Sequence, residues 1–597
     1  MSPAASRATR ICRARGIENA YQTVAEPLAQ PAGSSSSRVA STVVPSTVAG
    51  TVITCAADRA SLAGGAACAL GTPSRTTAPT STTSKDVRMR RRSHCYGTPT
   101  TEAVVLRTWT PSEPAGGRFP SVTFPFALGV ASGSPLPSSV VLWTRIAPDP
   151  LAGGDAGPVP ITVRWEVAHD ERFERIARSG SAVAVVEDAH ALHVEVEGLE
   201  PGRWYFYRFI ANGESSPVGR TRTAPGPDER PSLLRLAFGS CQHFEFGFYA
   251  AHRHIAADDV DLMVFLGDYI YEGPGRAGRV RRHLGAEARS LAQYRNRYAL
   301  YKTDPDLQRL HAAVPWLVTF DDHEVDNDYA GDHPFSPDPQ FLRRRAAAYR
   351  AFFEHMPLRA RARPRGARMR VHARYDFGGL VRFHVLDGRQ HRSPQACKPH
   401  KRVGPECRER TNVERTMLGA AQERWLREGI VAAPDRWNLL AQQVLMTRAI
   451  RRVGGEPRFG TNQWDGYPAA RRRLLRAIED AGARSCVVLS GDAHRCVVSD
   501  LKVDFTRPQA PVLATELCGP SLTSPGASQR HTDALKRVNP HILFADSAHR
   551  GYFLLELTPE ACSARLRGLA DAADPNTTVS TLAGFEVRSG TPGLVRA

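Results

Sequence analysis

The sequence predicts an α/β protein preceded by a small antiparallel β-sandwich, and three observations lead there. Between Phe124 and Ala211, apolar and polar residues alternate at period two in short runs separated by turn residues. From about residue 230, apolar strand-like runs alternate with helical segments. Four groups of potential ligands each follow one such apolar run. They are Gly239-Ser240-Cys241 after LLRLAF, Gly267-Asp268-Tyr269-Ile270-Tyr271 after DLMVFL, Asp321-Asp322-His323-Glu324 after WLVTF, and Gly491-Asp492-Ala493-His494 after CVVLS. In a layered α/β protein the carboxyl ends of neighbouring strands open on one crevice, so these groups are expected to meet.

The sandwich is placed at residues 120–225 by the runs SSVVLWTRI, ITVRWEVA, SAVAVV, LHVEVEGL and RWYFYRFIA. Leu199-Glu200-Pro201-Gly202-Arg203-Trp204-Tyr205 has the form of the tyrosine corner of fibronectin-like sandwiches, in which a Tyr hydroxyl bonds the backbone upstream. The segment TAPGPDERPS reads as a linker by its Pro and Gly content. Residues 230–597 form the second domain. Its helices are expected at YAAHRHIAADD, SLAQYRNRYALY, RRRAAAYRAFFEHM and AARRRLLRAIEDAG. Its later strands are expected at VRFHVLDG, WNLLAQQVLM, SCVVLSGDAH, VLATELC and YFLLELT. No internal repeat, heptad array or glycine-rich phosphate loop is present.

Residues 1–119 read as a disordered or aberrant N-terminal segment. Ser, Thr, Ala, Gly and Pro dominate 30–85. Met89-Arg90-Arg91-Arg92 has the form of a twin-arginine export signal, but SHCYGTPTTEAVVLRTW follows where an apolar stretch belongs, so no intact signal peptide is read. No run of eighteen apolar residues occurs, so no membrane-spanning helix is predicted.

At 597 residues the chain exceeds one compact domain. Its net charge of +18 owes much to Arg. The first hundred residues hold twelve basic and four acidic side chains, and Arg359, Arg361, Arg363, Arg365, Arg368 and Arg370 form a second basic cluster. Such charge attracts phosphate esters, nucleic acid or an anionic membrane. The plainer reading is a solvated, Arg-rich surface, since no nucleic-acid motif accompanies it. Eleven cysteines leave at least one thiol unpaired. Cys397 and Cys407 flank a basic loop whose length allows a closing disulfide; two unpaired surface thiols would fit nearly as well. The absence of any CxxC argues against structural zinc.

The ligand groups suit a polynuclear metal site. A carboxylate such as Asp268 can bridge two cations. A phenolate such as Tyr271 suits a ferric ion, whose charge would deprotonate it below its ordinary pKa of about 10. Cys241 could add a thiolate. Asp492 and His494 are expected on one face of an extended segment, because i and i+2 point the same way. Two metals about 3.5–4 Å apart can clamp a phosphate and acidify water. A nearby His could protonate the leaving alkoxide, an effect of about 10²–10⁴-fold. Taken singly, each residue has a structural alternative: a buried thiol for Cys241, a helix cap for Asp268, a hydrogen-bonded core imidazole for His494.

The ordered elements FPFALGVASGSP, VVLWTRIAPDPL, FGSCQ, LGDYIYEG, FDDHEVDNDYAG, DGRQHRS, RTMLGAAQERWL, AQQV, WDGYPAARRRLL and LSGDAH resemble the PhoD-like alkaline phosphatase and phosphodiesterase family, from about Phe124 to Thr558. The resemblance implies a metallophosphoesterase-like α/β/β/α sandwich preceded by a small fibronectin-like antiparallel β-sandwich. It implies Fe3+ and Ca2+ in the active site. By position, Cys241 and Tyr271 would bind iron, Asp268 would bridge iron and calcium, and His494 would reach the iron. Asp322 and Asp492 would bind calcium; the residues themselves leave open whether Asp321 or Asp322 does so. His323 takes the place of the catalytic His, and Arg389 of Asp387-Gly388-Arg389-Gln390 is a candidate phosphate contact, with an ion pair to Asp387 as the alternative. The implied activity is hydrolysis of phosphomonoesters and phosphodiesters by in-line attack of a metal-activated hydroxide. Anionic polymers such as teichoic acid or nucleic acid are candidate partners, drawn in by the 359–370 arginines. A secreted, cell-wall or periplasmic monomer is expected. The rivals are a phospholipase D-like or nuclease phosphodiesterase, and a non-catalytic wall-associated binding protein. Two departures stand out: Arg495-Cys496-Val497 follows LSGDAH, and TELCGPSLTS replaces a Glu-Phe-x-x-x-Ser-Ile-Thr-Ser pattern.

Overall fold

A computed structural model describes residues 124–154, 156–397 and 403–596. The segment read as disordered and the arginine motif at 90–92 lie outside the described residues.

Two sheets stack face to face. The first has ten strands. Its centre is formed by Leu234–Gly239, Leu262–Phe265 and Pro315–Val318, which run parallel to one another. The second has seven strands, with Val381–Val385, Trp437–Ala441, Cys486–Ser490 and Ala514–Cys518 parallel at its centre. Both faces of these strands are covered, so they are apolar at nearly every position. Leu234, Leu236, Phe238, Leu262 and Val264 face the second sheet across the inner core. The intervening Ala237, Met263 and Phe265 face the helices Ala250–Ala257, Leu291–Lys302, Pro305–Ala313 and Phe341–His355. On the far side, Leu426, Ile430, Leu474 and Ile478 of the helices Gly419–Val431 and Pro468–Asp480 cover Leu440 and Val488. The result is the four-layered α/β/β/α arrangement that the family resemblance implies.

Helix starts follow local chemistry. Leu291–Lys302 opens on a capping box between Ser290 and Gln293. Pro305–Ala313 opens on Asp304, whose carboxylate accepts from the Asp306 and Leu307 N–H groups, with Pro at the first helical position.

The N-terminal lobe is a sandwich. Val130–Leu136, Ser139–Arg145 and Ala191–Glu197 pack on a five-stranded sheet through Val140, Leu142, Val163, Val167 and Phe209. The tyrosine corner is present: the Glu200 N–H donates to the Tyr205 hydroxyl at 2.9 Å. The lobe is not separate from the core. Val130–Leu136 pairs in parallel with Pro315–Val318, in the register Ser132↔Pro315 and Gly133↔Trp316, so one sheet runs through both lobes. Gly133 permits the approach, since a Cβ there would meet the Trp316 and Pro357 carbonyl oxygens at 2.7 Å. The linker is packed as well: Ala224 is buried, and the Gly379 N–H donates to the Glu229 carbonyl oxygen at 2.7 Å. Period-two patterning identifies which faces of a strand are buried and is silent about which edge finds a partner.

Two of the six arginines at 359–370 are occupied at this seam. Arg359 pairs with Glu195 at 2.8 Å, and Arg363 pairs with Asp188 at 2.5 Å. Cys397 and Cys407 form a disulfide with a Cα–Cα distance of 5.9 Å. Cys241, Cys486, Cys496, Cys518 and Cys562 are buried free thiols. No described helix is long and apolar enough to cross a membrane.

Candidate metal centre

Three of the four ligand groups leave adjacent parallel strands of the ten-stranded sheet, and the fourth leaves Cys486–Ser490 of the other sheet. The chain turns sharply at four of the six metal-ligand candidates. Cys241, Asp268, Asp492 and His494 all have left-handed backbones, with φ of 61°, 55°, 59° and 50°. Such a conformation costs roughly 1–3 kcal/mol per non-glycine residue and persists only where the surroundings enforce it. The expectation of an extended Asp492–His494 segment is therefore corrected. The two side chains line one cavity because a left-handed turn aims them there, not because they alternate along a strand.

Backbone hydrogen bonds and one buried carboxylate enforce the turns. The Cys241 and Gln242 N–H groups donate to the Gly267 and Asp268 carbonyl oxygens, each at 3.1 Å. Gly267 must be glycine: its φ is 109°, and a Cβ would lie 2.5 Å from the Asp321 nitrogen. Glu324 accepts from the N–H groups of Asp268 (3.1 Å), Tyr269 (2.5 Å) and Asp321 (2.7 Å), tying two strand ends together. Burial, then the Asp268 charge, pushes its carboxyl up to about 8 against the pull of those three donors.

Two donor sets lie side by side, linked through Asp268 and Asp322. In the first, ligand atoms of Cys241, Asp268 and His494 lie within 4.8 Å of one another. Tyr271 joins them, its hydroxyl donating to Asp268 Oδ2 at 2.7 Å and lying 3.2 Å from His494 Nε2. Ser524 Oγ donates to that hydroxyl at 2.7 Å. The second set consists of oxygens: Asp321, Asp322 and Asp492 lie within 4.8 Å of one another, and Asp322 lies as close to Asp268 and His323. Asp322 Oδ1 is buried without a hydrogen bond; Arg389 Nη2 lies 3.2 Å away in ion-pair contact only.

These residues fit metal ions. One set mixes sulfur, phenol, imidazole and carboxylate donors, and the other is all oxygen, the donor types that transition and alkaline-earth cations take. Burial, then the Asp268 charge, pushes the Cys241 thiol and the Tyr271 phenol well above their ordinary values. A cation among them reverses that balance and lets both ionise.

His323 stands between the sets. Its Nδ1 lies 2.7 Å from Glu272 Oε2, and its ring packs on Tyr271 with centroids 4.2 Å apart. Its side chain is 20 % exposed, to a cavity of about 260 Å³ bounded also by Asp268, Asp322, Asp492 and His494. Burial lowers its pKa, but Glu272, Asp268 and Asp322 together raise it well above the ordinary value.

Arg389 is completely buried, and protein groups take its donors. Nε donates to Asp321 Oδ1, Nη1 to Asn462 Oδ1 at 2.8 Å, and Nη2 to Asp492 Oδ1 at 3.0 Å. Asp387 accepts from its backbone N–H at 3.0 Å and makes no pair with the guanidinium. The structure thus sets Arg389 behind the carboxylates, not in the cavity.

Glu272, Glu324, Asn462 and Ser524 complete the site; Glu324 was named only as the last member of the Asp321–Glu324 group and Ser524 only within TELCGPSLTS, while Glu272 and Asn462 were not singled out. Glu272 follows Tyr271 directly and Glu324 follows His323 directly, so acidic neighbours of the ligand groups were the available signal. Asn462 lies in a loop with no local pattern, whereas Ser524 ends the TELCGPSLTS element, which touches a ligand candidate after all through the 2.7 Å bond to Tyr271.

The model of the PhoD-like phosphatase family matches residues 236–566, and that of its N-terminal domain matches 109–225. Alkaline phosphatase D of Bacillus subtilis (strain 168) is 43 % identical over 482 residues, covering 79 % of this chain and 82 % of that protein. The solved structure of PhoD superposes with a TM-score of 0.77 at 42 % identity, covering 81 % of this chain and 93 % of that one. Both lobes and the intervening seam fall inside these matches, and the chain belongs to the PhoD-like phosphatase family.

Proposed function

We propose that this phosphatase hydrolyses phosphomonoesters and phosphodiesters with Fe3+ held by Cys241, Tyr271, Asp268 and His494, and Ca2+ held by Asp268, Asp322 and Asp492. One observation carries the reading: the Asp268 carboxylate belongs at once to the Cys241–Asp268–His494 set and to a set with Asp322 and His323, and Asp322 in turn belongs to the all-oxygen set. When bound, such ions acidify water and withdraw charge from the phosphoryl oxygens. The chain's own residues supply the rest. His323 holds a proton for the leaving alkoxide, with Nδ1 engaged by Glu272 and Nε2 left toward the cavity. Arg389 is a positioning residue that keeps Asp321, Asp322 and Asp492 from repelling one another apart. The turn at Gly267 and the Glu324 clamp fix Asp268 before substrate arrives, so little reorganisation is left to the reaction.

The protein acts outside the cytoplasm in this reading, where a Cys397–Cys407 disulfide persists. Metal analysis by mass spectrometry, run beside p-nitrophenyl phosphate and bis-p-nitrophenyl phosphate assays with and without chelator, tests it. About one iron with calcium and chelator-sensitive turnover supports the assignment. Zinc alone, or no metal and no turnover, overturns it.

A further inference from the structure

The cavity has a basic wall that the hydrolysis described above does not use. Arg451 and Arg495 both line it, together with Val403, Gly460 and Gln463. Arg495 directly follows His494 and spends only Nε on the protein, donating to the Ala493 carbonyl oxygen at 3.3 Å. Neither guanidinium forms an ion pair with a described residue. Arg389, by contrast, spends Nε and Nη2 on the donor carboxylates and Nη1 on Asn462. The acidic floor therefore has its own neutralising cation, and two further positive charges face the same cavity unspent.

The wall is built rather than trailing. Arg451–Val453 pairs with Glu456–Gly460 in a hairpin, and Glu456–Gly460 pairs in turn with Val403–Gly404 in the register Val403↔Gly460. Val403–Gly404 lies inside the loop closed by the Cys397–Cys407 disulfide. Three short strands and a covalent crosslink thus hold Arg451 at the mouth.

We infer that Arg451 and Arg495 form a second phosphate subsite, which engages a phosphate on the same substrate adjacent to the one being hydrolysed. The inference rests on the proposed phosphoesterase reading of the floor. Guanidinium forks match phosphate oxygens two at a time, and a charge-assisted contact of this kind changes binding by about tenfold to a hundredfold. Substrates with one phosphate leave the wall idle. Substrates with two use it, whether the phosphates are joined directly or through a short polyol.

The experiment compares R451Q, R495Q and the double variant with the native protein. Arg452→Gln serves as a control on the same hairpin; its side chain bonds the Gly455 carbonyl oxygen at 2.8 Å and does not line the cavity. Four chromogenic substrates are assayed: p-nitrophenyl phosphate, bis-p-nitrophenyl phosphate, p-nitrophenyl pyrophosphate and a p-nitrophenyl ester of glycerol phosphate carrying a second phosphate. The subsite requires the KM ratio of doubly to singly phosphorylated substrates to rise at least tenfold in the double variant and to stay constant in R452Q. A rise for the pyrophosphate alone assigns adjacent phosphates, and a rise for the glycerol compound alone assigns spaced ones. An unchanged ratio, or an equal rise in KM for all four substrates, overturns the subsite. Calorimetric binding of inorganic pyrophosphate against inorganic phosphate gives a readout independent of turnover. If pyrophosphate binds no better than phosphate, or its preference survives in the double variant, the subsite fails while the catalytic reading stands. If the native protein turns over no substrate yet the pyrophosphate preference is lost in the double variant, the catalytic reading fails and the subsite stands.

Discussion

Glu272 Oε2 sits 2.7 Å from His323 Nδ1, making the pair a buried carboxylate–imidazole couple on the edge of the metal centre. The carboxylate fixes which ring nitrogen faces the cavity and raises the His323 pKa. Glu272→Gln keeps a hydrogen-bonding partner but removes the charge. We expect kcat to fall about tenfold or more, with metal content unchanged. With His323 as the proposed acid, activity should be lost as pH rises through its pKa. Removing Glu272 lowers that pKa, so the alkaline limb of the kcat profile moves to lower pH. An unmoved limb would show that Glu272 is structural only.

Asp268 and His323 should separate cleanly on replacement. Asp268→Ala breaks both donor sets and should remove the metals and all activity. His323→Ala should retain the metals and lose about 10²–10⁴ in rate. Mass spectrometry on both variants decides; metal loss from the His323 variant would make that residue a ligand rather than the acid.

Arg389 should behave as a positioning residue. Arg389→Met leaves Asp321, Asp322 and Asp492 buried without their shared cation, a change costing about 3–5 kcal/mol when one partner of a buried pair is removed. The denaturation midpoint of the metal-free protein should fall, and added calcium should restore part of it. A raised KM with an unchanged midpoint would return Arg389 to the role of phosphate contact.

Lys302 provides a test away from the metals. It is buried, its ammonium 4.1 Å from the Trp143 ring centroid, and burial lowers its pKa from 10.5 to about 7. Between those values the unfolded chain binds more protons than the folded one, so stability should rise with pH from about 7 to 10.5 and level off above. Lys302→Met should flatten that rise and stabilise the protein most at and below pH 7. Denaturant midpoints across this range check the slope; an identical slope in the variant would remove Lys302 as its source.

The sequence disclosed the layers, because runs such as LLRLAF and DLMVFL are apolar at both faces, and it disclosed the ligand groups, because each follows such a run. The four named helices and the tyrosine corner were legible for the same local reasons. The helices Pro305–Ala313, Gly419–Val431 and Gln529–Val538 and the antiparallel strands from Ala561 to Arg596 were not read. Gln529–Val538 buries only Thr532 and Leu535, so little apolar periodicity marks it. The left-handed turns at Asp492 and His494 were hidden because Asp and His carry no glycine-like signature. The role of Arg389 was hidden because its partners Asp321, Asn462 and Asp492 are 68, 73 and 103 positions away.

The parallel pairing of Ser132 and Gly133 with Pro315 and Trp316 bears on how such a chain can be divided. A fragment beginning after the N-terminal lobe would carry Pro315–Val318 as a bare sheet edge, inviting another copy to take the vacant place. The next turn beyond that strand holds Asp321, Asp322 and His323. The front lobe is thus the outermost splint of the catalytic turns, and recombining it with a foreign core would require matching one strand register, not merely joining two ends.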